Sequence, residues 1–188
     1  MTAHRILAGT LAGIALFTPA LQSIAKSMPD NNLRVVFIRH GEKPDAGDNL
    51  SCQGENRALQ LPAVLYGKYK IPDYTYVPSL GLDESTKHAR MFQTVTPFAV
   101  KYNLTVNSQF DEKDYSNVAE DVENRSGTVL LVWEHSAIPH LAKKMGVANP
   151  PDWKGDDFDS IWVITFADGV ASLSVDREGL TPSADCRF

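Results

Sequence analysis

From position 33 onward the chain sets short apolar runs against longer stretches of helical period. Residues 33–38, Leu-Arg-Val-Val-Phe-Ile, are apolar but for Arg34 and rich in β-branched side chains, which predicts a buried strand. Residues 44–49, Pro-Asp-Ala-Gly-Asp-Asn, are turn chemistry. A helix follows over 50–69, with Ser51 as N-cap and Ala58, Leu61 and Leu65 on one face; Pro62 inside it predicts a kink or a split. Residues 73–77 read as a second strand closed by Pro78. Residues 84–102 read as a helix through Ala89, Phe92, Val95 and Ala99, with Pro97 as a second kink or break. A short strand at 104–110 leads to an acidic loop, and 116–124 is a short helix. The run at 127–135 is the strongest buried strand, and the helix at 136–145 ends at Gly146. After an irregular loop at 149–159, strands at 160–166 and 170–175 form a hairpin around Asp168-Gly169. Strands alternating with helices predict an α/β three-layer sandwich: a mainly parallel sheet, helices on both faces and an antiparallel edge.

The first 25 residues differ from the rest. A short, weakly positive start precedes the uncharged stretch 6–25, which ends with Ser23 and Ala25 as small residues two apart. That is the three-part pattern of a secretory signal peptide cleaved after Ala25, leaving 26–188 as one domain. An uncleaved anchor is the rival reading, since about 20 apolar residues span a bilayer. Gly9, Gly13 and Pro19 dilute the apolarity and favour cleavage. Export would put Cys52 and Cys186 in an oxidising compartment. There an even pair suggests one disulfide, with two unpaired thiols as the alternative.

Charge narrows the partners. Eighteen Lys and Arg against 23 Asp and Glu give a net charge of -5, which argues against nucleic acid or an anionic membrane as main partner. A local basic pocket remains open, and one pattern points to it. In an open α/β sheet ligands bind beyond the C-terminal ends of the strands. Two predicted strands end in histidine, at His40 and His135. The first also delivers Arg39, Gly41 would let backbone N–H groups approach a ligand, and Arg90 follows the second strand. If these strands are neighbours, two Arg and two His make a pocket for a tetrahedral dianion. Arg forks pair with phosphate oxygens, and an imidazole among them is pushed to its neutral, nucleophilic form.

Lys43 is a candidate for the pocket mouth, against the plainer reading of a solvated loop lysine. His88, two residues from Arg90 on a helix, is expected at the surface, and His140 to be structural or exposed. Glu134 is expected to point away from His135 across the strand. The Asp156, Asp157 and Asp159 cluster does not complete a calcium loop and reads as a solvated turn. Trp153 reads as a core anchor.

At these residues the sequence resembles the histidine phosphatase superfamily, also called phosphoglycerate-mutase-like. The stretch 35–44, Val-Val-Phe-Ile-Arg-His-Gly-Glu-Lys-Pro, is similar to its strand and Arg-His-Gly signature. Residues 50–65 are similar to the helix that follows, with Ser51 and Arg57 where the family has Thr and Gln. Residues 85–99 are similar to its Ser-x-x-x-Arg-x-x-Gln-Thr element, with Thr86 in place of that Ser, and 129–146 to the strand and helix carrying the second histidine. The resemblance implies that His40 is a phosphoryl-accepting nucleophile. Arg39, Arg90 and His135 would bind phosphate, with no metal or cofactor needed. It places the proton donor near 110–114, with Glu112 first and Asp111 and Asp114 as rivals. The position after the second histidine, an acid in one branch, is Ser136 here. The implied activity is hydrolysis of a small phosphomonoester, in the periplasm or secreted. A protein phosphohistidine phosphatase and a non-catalytic phosphate binder are the alternatives.

Overall fold

The computed structural model describes residues 28–81, 88–186 and the terminal positions 1 and 188. The predicted signal peptide, Thr86 and the first residues of the helix predicted at 84–102 lie outside the described residues. Ten elements follow in the order β1 (Arg34–Arg39), α1 (Cys52–Tyr69), β2 (Tyr74–Tyr76), α2 (Ala89–Tyr102), β3 (Val106–Asn107), α3 (Tyr115–Glu123), β4 (Thr128–Trp133), α4 (Ile138–Lys144), β5 (Ser160–Ala167) and β6 (Val170–Arg177). No helix among the described residues is long and apolar enough to cross a membrane.

The six strands form one sheet in the order β3-β2-β4-β1-β5-β6. β1 runs parallel to β4, β4 to β2 and β2 to β3; β5 and β6 add the antiparallel edge. The central pair is therefore the two strands predicted to end in histidine, in register from Arg34 opposite Thr128 to Arg39 opposite Trp133. Their alternation divides the core. Val35, Phe37, Val129, Leu131 and Trp133 pack against α3 and α4, through residues such as Val122 and Leu141. Val36, Ile38, Leu130 and Val132 pack against α1 and α2, through Leu61, Leu65, Val95 and Phe98.

Ser51 caps α1 as expected, its hydroxyl accepting from the Gly54 N–H. α1 and α2 each run unbroken through their prolines. Pro62 sits on the buried face with Ala58, Leu61 and Leu65, so packing holds the helix across the missing hydrogen bond. The β5–β6 hairpin turns on Asp168 and Gly169, with φ of 50° and 74°, the left-handed pair that a two-residue hairpin turn requires. β4 stops at Trp133, two residues short of its predicted end, and β3 is only two residues long.

The C-terminal tail returns across α1. Cys186 forms a disulfide with Cys52, with Cα atoms 4.9 Å apart. Asn56 Nδ2 donates to the carbonyls of Ser183 and Asp185 at 2.9 and 2.8 Å.

Candidate active site

The segment after β1 is held on every side. His40 N–H donates to the Trp133 carbonyl at 3.2 Å, extending the β1–β4 ladder one step. Gly41 N–H donates to Thr94 Oγ1 at 2.9 Å, and the Glu42 carbonyl accepts from Ser51 N at 2.9 Å. The Gly41 N–H is thus taken up by Thr94. The glycine is required by packing, because a Cβ on Gly41 would lie 2.8 Å from the Gly54 carbonyl oxygen. Beneath the loop, buried Arg57 donates from Nη2 to Glu42 Oε1 at 2.8 Å and from Nη1 to Glu178.

That scaffold fixes the His40 imidazole. Nδ1 lies 2.7 Å from the Gly41 carbonyl oxygen. A carbonyl only accepts, so Nδ1 carries the proton and Nε2 faces the site. Arg39 is buried, 1% exposed. Its Nη1 donates to the Gly155 carbonyl at 2.8 Å, Nη2 lies 3.3 Å from His135 Nδ1, and the guanidinium carbon is 3.7 Å from the Phe158 ring centre. Burial lowers Arg39 to about 10, which leaves it cationic at neutral pH. Burial, with Arg39 beside it, also lowers His135 and favours a neutral imidazole.

The largest departure from expectation is Glu134. Strand alternation would turn it away from His135, but β4 has already ended, and Glu134 opens a turn into α4. Its Oε2 lies 2.9 Å from His40 Nε2, and its Oε1 contacts His135 Nδ1. Burial alone would raise this carboxyl, but His40, His135 and Arg39 together draw it down to about 2. The sequence carries a signal for it, an acid beside the second histidine, but strand alternation ends with β4 at Trp133 and does not reach it.

Arg90 is less central than expected. Its Nη2 donates to the Gly47 carbonyl at 3.3 Å and lies 3.9 Å from Asp48, so its head leans on the 44–49 turn. Thr94, one turn on, ties its helix to the His40 loop by accepting the Gly41 N–H, and donates its own proton to the Arg90 carbonyl at 2.7 Å. Glu112 is held from two sides: Trp133 Nε1 donates to its carbonyl at 2.9 Å, and its Oε2 lies 3.0 Å from His88 Nε2. Burial raises the Glu112 carboxyl, with Glu134 pushing the same way against the pull of His88. His88 is thus no surface residue: its left-handed backbone, φ 59°, ends the expected helical phase and turns the ring inward, with Nδ1 2.7 Å from the Ser79 carbonyl.

Lys43 is exposed on the wall of a cleft of about 620 Å³ that it shares with Glu42, Leu50, Gln53, Cys52 and Phe158. The acidic turn is not merely solvated: Asp157 accepts from Ser160 N at 3.0 Å and caps the start of β5. Trp153 is buried and stacks on Trp162, as expected of a core anchor. His40, Glu134 and His135 each present one ligand atom within 4.8 Å of the others, a set able to hold a metal ion. The buried guanidinium 3.3 Å from His135 makes the surround cationic, which favours an anion.

No family model matches the chain, and no curated protein matches it. Solved structures do. A mycobacterial glucosyl-3-phosphoglycerate phosphatase in complex with inorganic phosphate superposes with a TM-score of 0.54 at 16% identity, over 76% of this chain and 95% of that one. A phosphoglycerate mutase from Bacillus anthracis gives 0.51 at 13%, over 83% and 96%. A protein assigned as the phosphohistidine phosphatase SixA of Agrobacterium tumefaciens gives 0.50 at 16%, over 81% and 100%. At these identities the likeness is one of fold. The fold is the phosphoglycerate-mutase-like α/β sandwich.

Proposed function

We propose that the protein is a metal-independent phosphatase that hydrolyses a small phosphomonoester through a phosphohistidine on His40. The observation that carries this reading is the His40 imidazole: its Nδ1 is held by the Gly41 carbonyl, and its Nε2 is turned to Glu134, which in turn contacts His135 beside Arg39.

In the first step His40 Nε2 attacks phosphorus and the bond to the leaving oxygen breaks. The leaving oxygen takes a proton from Glu112, whose burial keeps it protonated to higher pH than an ordinary glutamate. In the second step water attacks phosphorus, the N–P bond breaks, and Glu112 recovers a proton from the water. Arg39 and Arg90 neutralise the oxygens that gain charge, and His135 donates to one of them. No step in this scheme draws on a cofactor. Lys43 and Phe158 line the cleft where the rest of the substrate would lie.

The likeness to a protein assigned as a phosphohistidine phosphatase supports a second reading, with a phosphorylated histidine of another protein as substrate. The intermediate on His40 is the same. Export to the periplasm or the medium is part of the proposal, supported by the Cys52–Cys186 disulfide and by the leader pattern of residues 1–25.

The test is mass spectrometry of protein quenched in alkali after brief mixing with an aryl phosphate. An adduct that survives alkali, is lost in acid and is absent from His40→Ala is expected. No adduct and no turnover from acid to neutral pH would leave a phosphate-binding protein of the same fold.

A further inference from the structure

We propose that the Glu134 carboxylate is a built-in competitor for the phosphoryl site. It caps the His40 nucleophile in the resting protein, and a ligand bearing two negative charges displaces it. The inference rests on the phosphatase reading above and adds a selection rule to it.

Three observations carry it. First, the carboxylate bridges both histidines, with Oε2 2.9 Å from His40 Nε2 and Oε1 on His135 Nδ1. His40 Nε2 is the nitrogen assigned to phosphorus, and His135 is the residue assigned to a phosphate oxygen. Second, His40 is 1% exposed while the Glu134 side chain is 19% exposed, so the outer group of the pair is the carboxylate. A proton must lie between Nε2 and Oε2 at that distance, so the lone pair that would attack is engaged until the side chain rotates out and the carboxyl carries that proton away. Third, the main chain of Glu134 is pinned. Its carbonyl accepts from Ala137 N at 3.0 Å and Ile138 N at 3.1 Å, which leaves a side-chain rotation as the way to uncap the site.

Charge decides what can uncap it. A carboxylate and a phosphoryl dianion cannot share one pair of histidines, because like charges at contact repel strongly where water is excluded. The dianion brings twice the charge of the carboxylate and extra oxygens for Arg39 and Arg90. A monoanionic diester brings the same single charge as Glu134 without its tether. The cap therefore admits phosphomonoesters, rejects diesters, and expels inorganic phosphate when it closes again.

The experiment uses the full chain with Glu134→Gln and Glu134→Ala. Phosphate binding is measured by calorimetry, and carbethoxylation of His40 by diethylpyrocarbonate is followed by peptide mass mapping. If the cap holds the site nine-tenths of the time, removing it tightens phosphate binding about tenfold. His40 should be protected in the parent and react about tenfold faster in Glu134→Ala, by the same population argument. Loss of a nearby charge alone would move the first reading and leave His40 shielded. Phosphate binding of equal strength in all three proteins, or a His40 equally protected in all three, overturns the competitor alone. Phosphate binding by none of them overturns it together with the phosphatase reading.

Discussion

Thr94 Oγ1 accepts the Gly41 N–H at 2.9 Å and donates its own proton to the Arg90 carbonyl at 2.7 Å. One buried hydroxyl thus fixes the distance between the helix that carries Arg90 and the loop that carries His40. Its neighbour Gln93 works on the next turn, accepting from Leu50 N at 2.9 Å and donating to Asn49 Oδ1 at 2.7 Å. The Gln-Thr pair after the arginine is therefore a clamp on two loops of the site. Thr94→Val keeps the shape and removes the acceptor, leaving a buried N–H unpaired at a cost of about 1–3 kcal/mol. A loop shift of this kind should lower kcat by about a hundredfold. Thr94→Ser should restore most of both. Urea unfolding and aryl-phosphate turnover on the two variants check it; a turnover in Thr94→Val equal to the parent's would show that the clamp does not position His40.

Gly54 and Gly67 share one helix and should respond oppositely to alanine. A Cβ on Gly54 would lie 2.3 Å from the Glu42 carbonyl oxygen and 2.8 Å from the Glu42 nitrogen. Both atoms are backbone and cannot rotate aside, so Gly54→Ala should cost about 1–3 kcal/mol and displace the His40 loop. A Cβ on Gly67 meets nothing within 4 Å, and there alanine should add about 0.5–1 kcal/mol through helix propensity. Thermal unfolding of the two single variants reads both signs.

The buried Glu42–Arg57–Glu178 group gives stability a pH dependence of unusual sign. Burial raises the Glu178 carboxyl from the ordinary 4.5 to about 7, against the pull of Arg57. The folded state then binds this proton more tightly than the unfolded chain does. The contribution is fully present below about pH 4.5 and is lost as pH rises through 7, to a total on the order of 3 kcal/mol. The depressed carboxyls Glu134, Asp157 and Asp176 have the opposite slope, in the more acid range below the ordinary carboxylate values. Denaturant titrations between pH 5 and 8 should show stability falling in the parent. They should show a shallower fall in Glu178→Gln, where only the smaller, opposed contributions of Glu112 and His135 remain. A parent profile that is already flat would mean that Arg57 holds Glu178 ionised.

The sheet was legible because its strands are apolar and β-branched, and because Asp168-Gly169 can turn only one way. The pairing of the two histidine-ended strands was legible as a condition, which the β1–β4 register meets. What escaped the sequence depended on where elements stop. The strand pattern carries Glu134 to the far face, but β4 ends one residue before it. The helical period places His88 at the surface, but its left-handed backbone starts α2 only at Ala89. The loop at 149–159 was read as irregular, yet the carbonyls of Lys154, Gly155 and Asp157 hold Arg39. Backbone carbonyls leave no trace in side-chain identity, so no pattern could have announced that contact.

The Cys52–Cys186 disulfide should be the largest single stabiliser within reach of a simple reagent. It joins the first turn of α1 to the tail across 134 positions. Closing so long a loop removes about 5 kcal/mol of unfolded-chain entropy in the chain-entropy model, and removal of such bonds costs about 2–5 kcal/mol. The bond also holds the tail on α1 beside the Asn56 contacts, next to the cleft that Cys52 helps to line. Reduction, or Cys52→Ser with Cys186→Ser, should lower Tm by roughly 10 °C, since about 1 kcal/mol moves a chain of this size by about 2–4 °C. Thiol titration of the unfolded protein should find no free thiol before reduction and two after. If reduction frees both thiols and leaves Tm unchanged, the Asn56 hydrogen bonds and the packing of half-buried Leu180 against the core on the α1 side hold the tail without the bridge. If Tm falls while aryl-phosphate turnover below the transition is unchanged, the bridge serves stability alone, and the cleft wall does not depend on it.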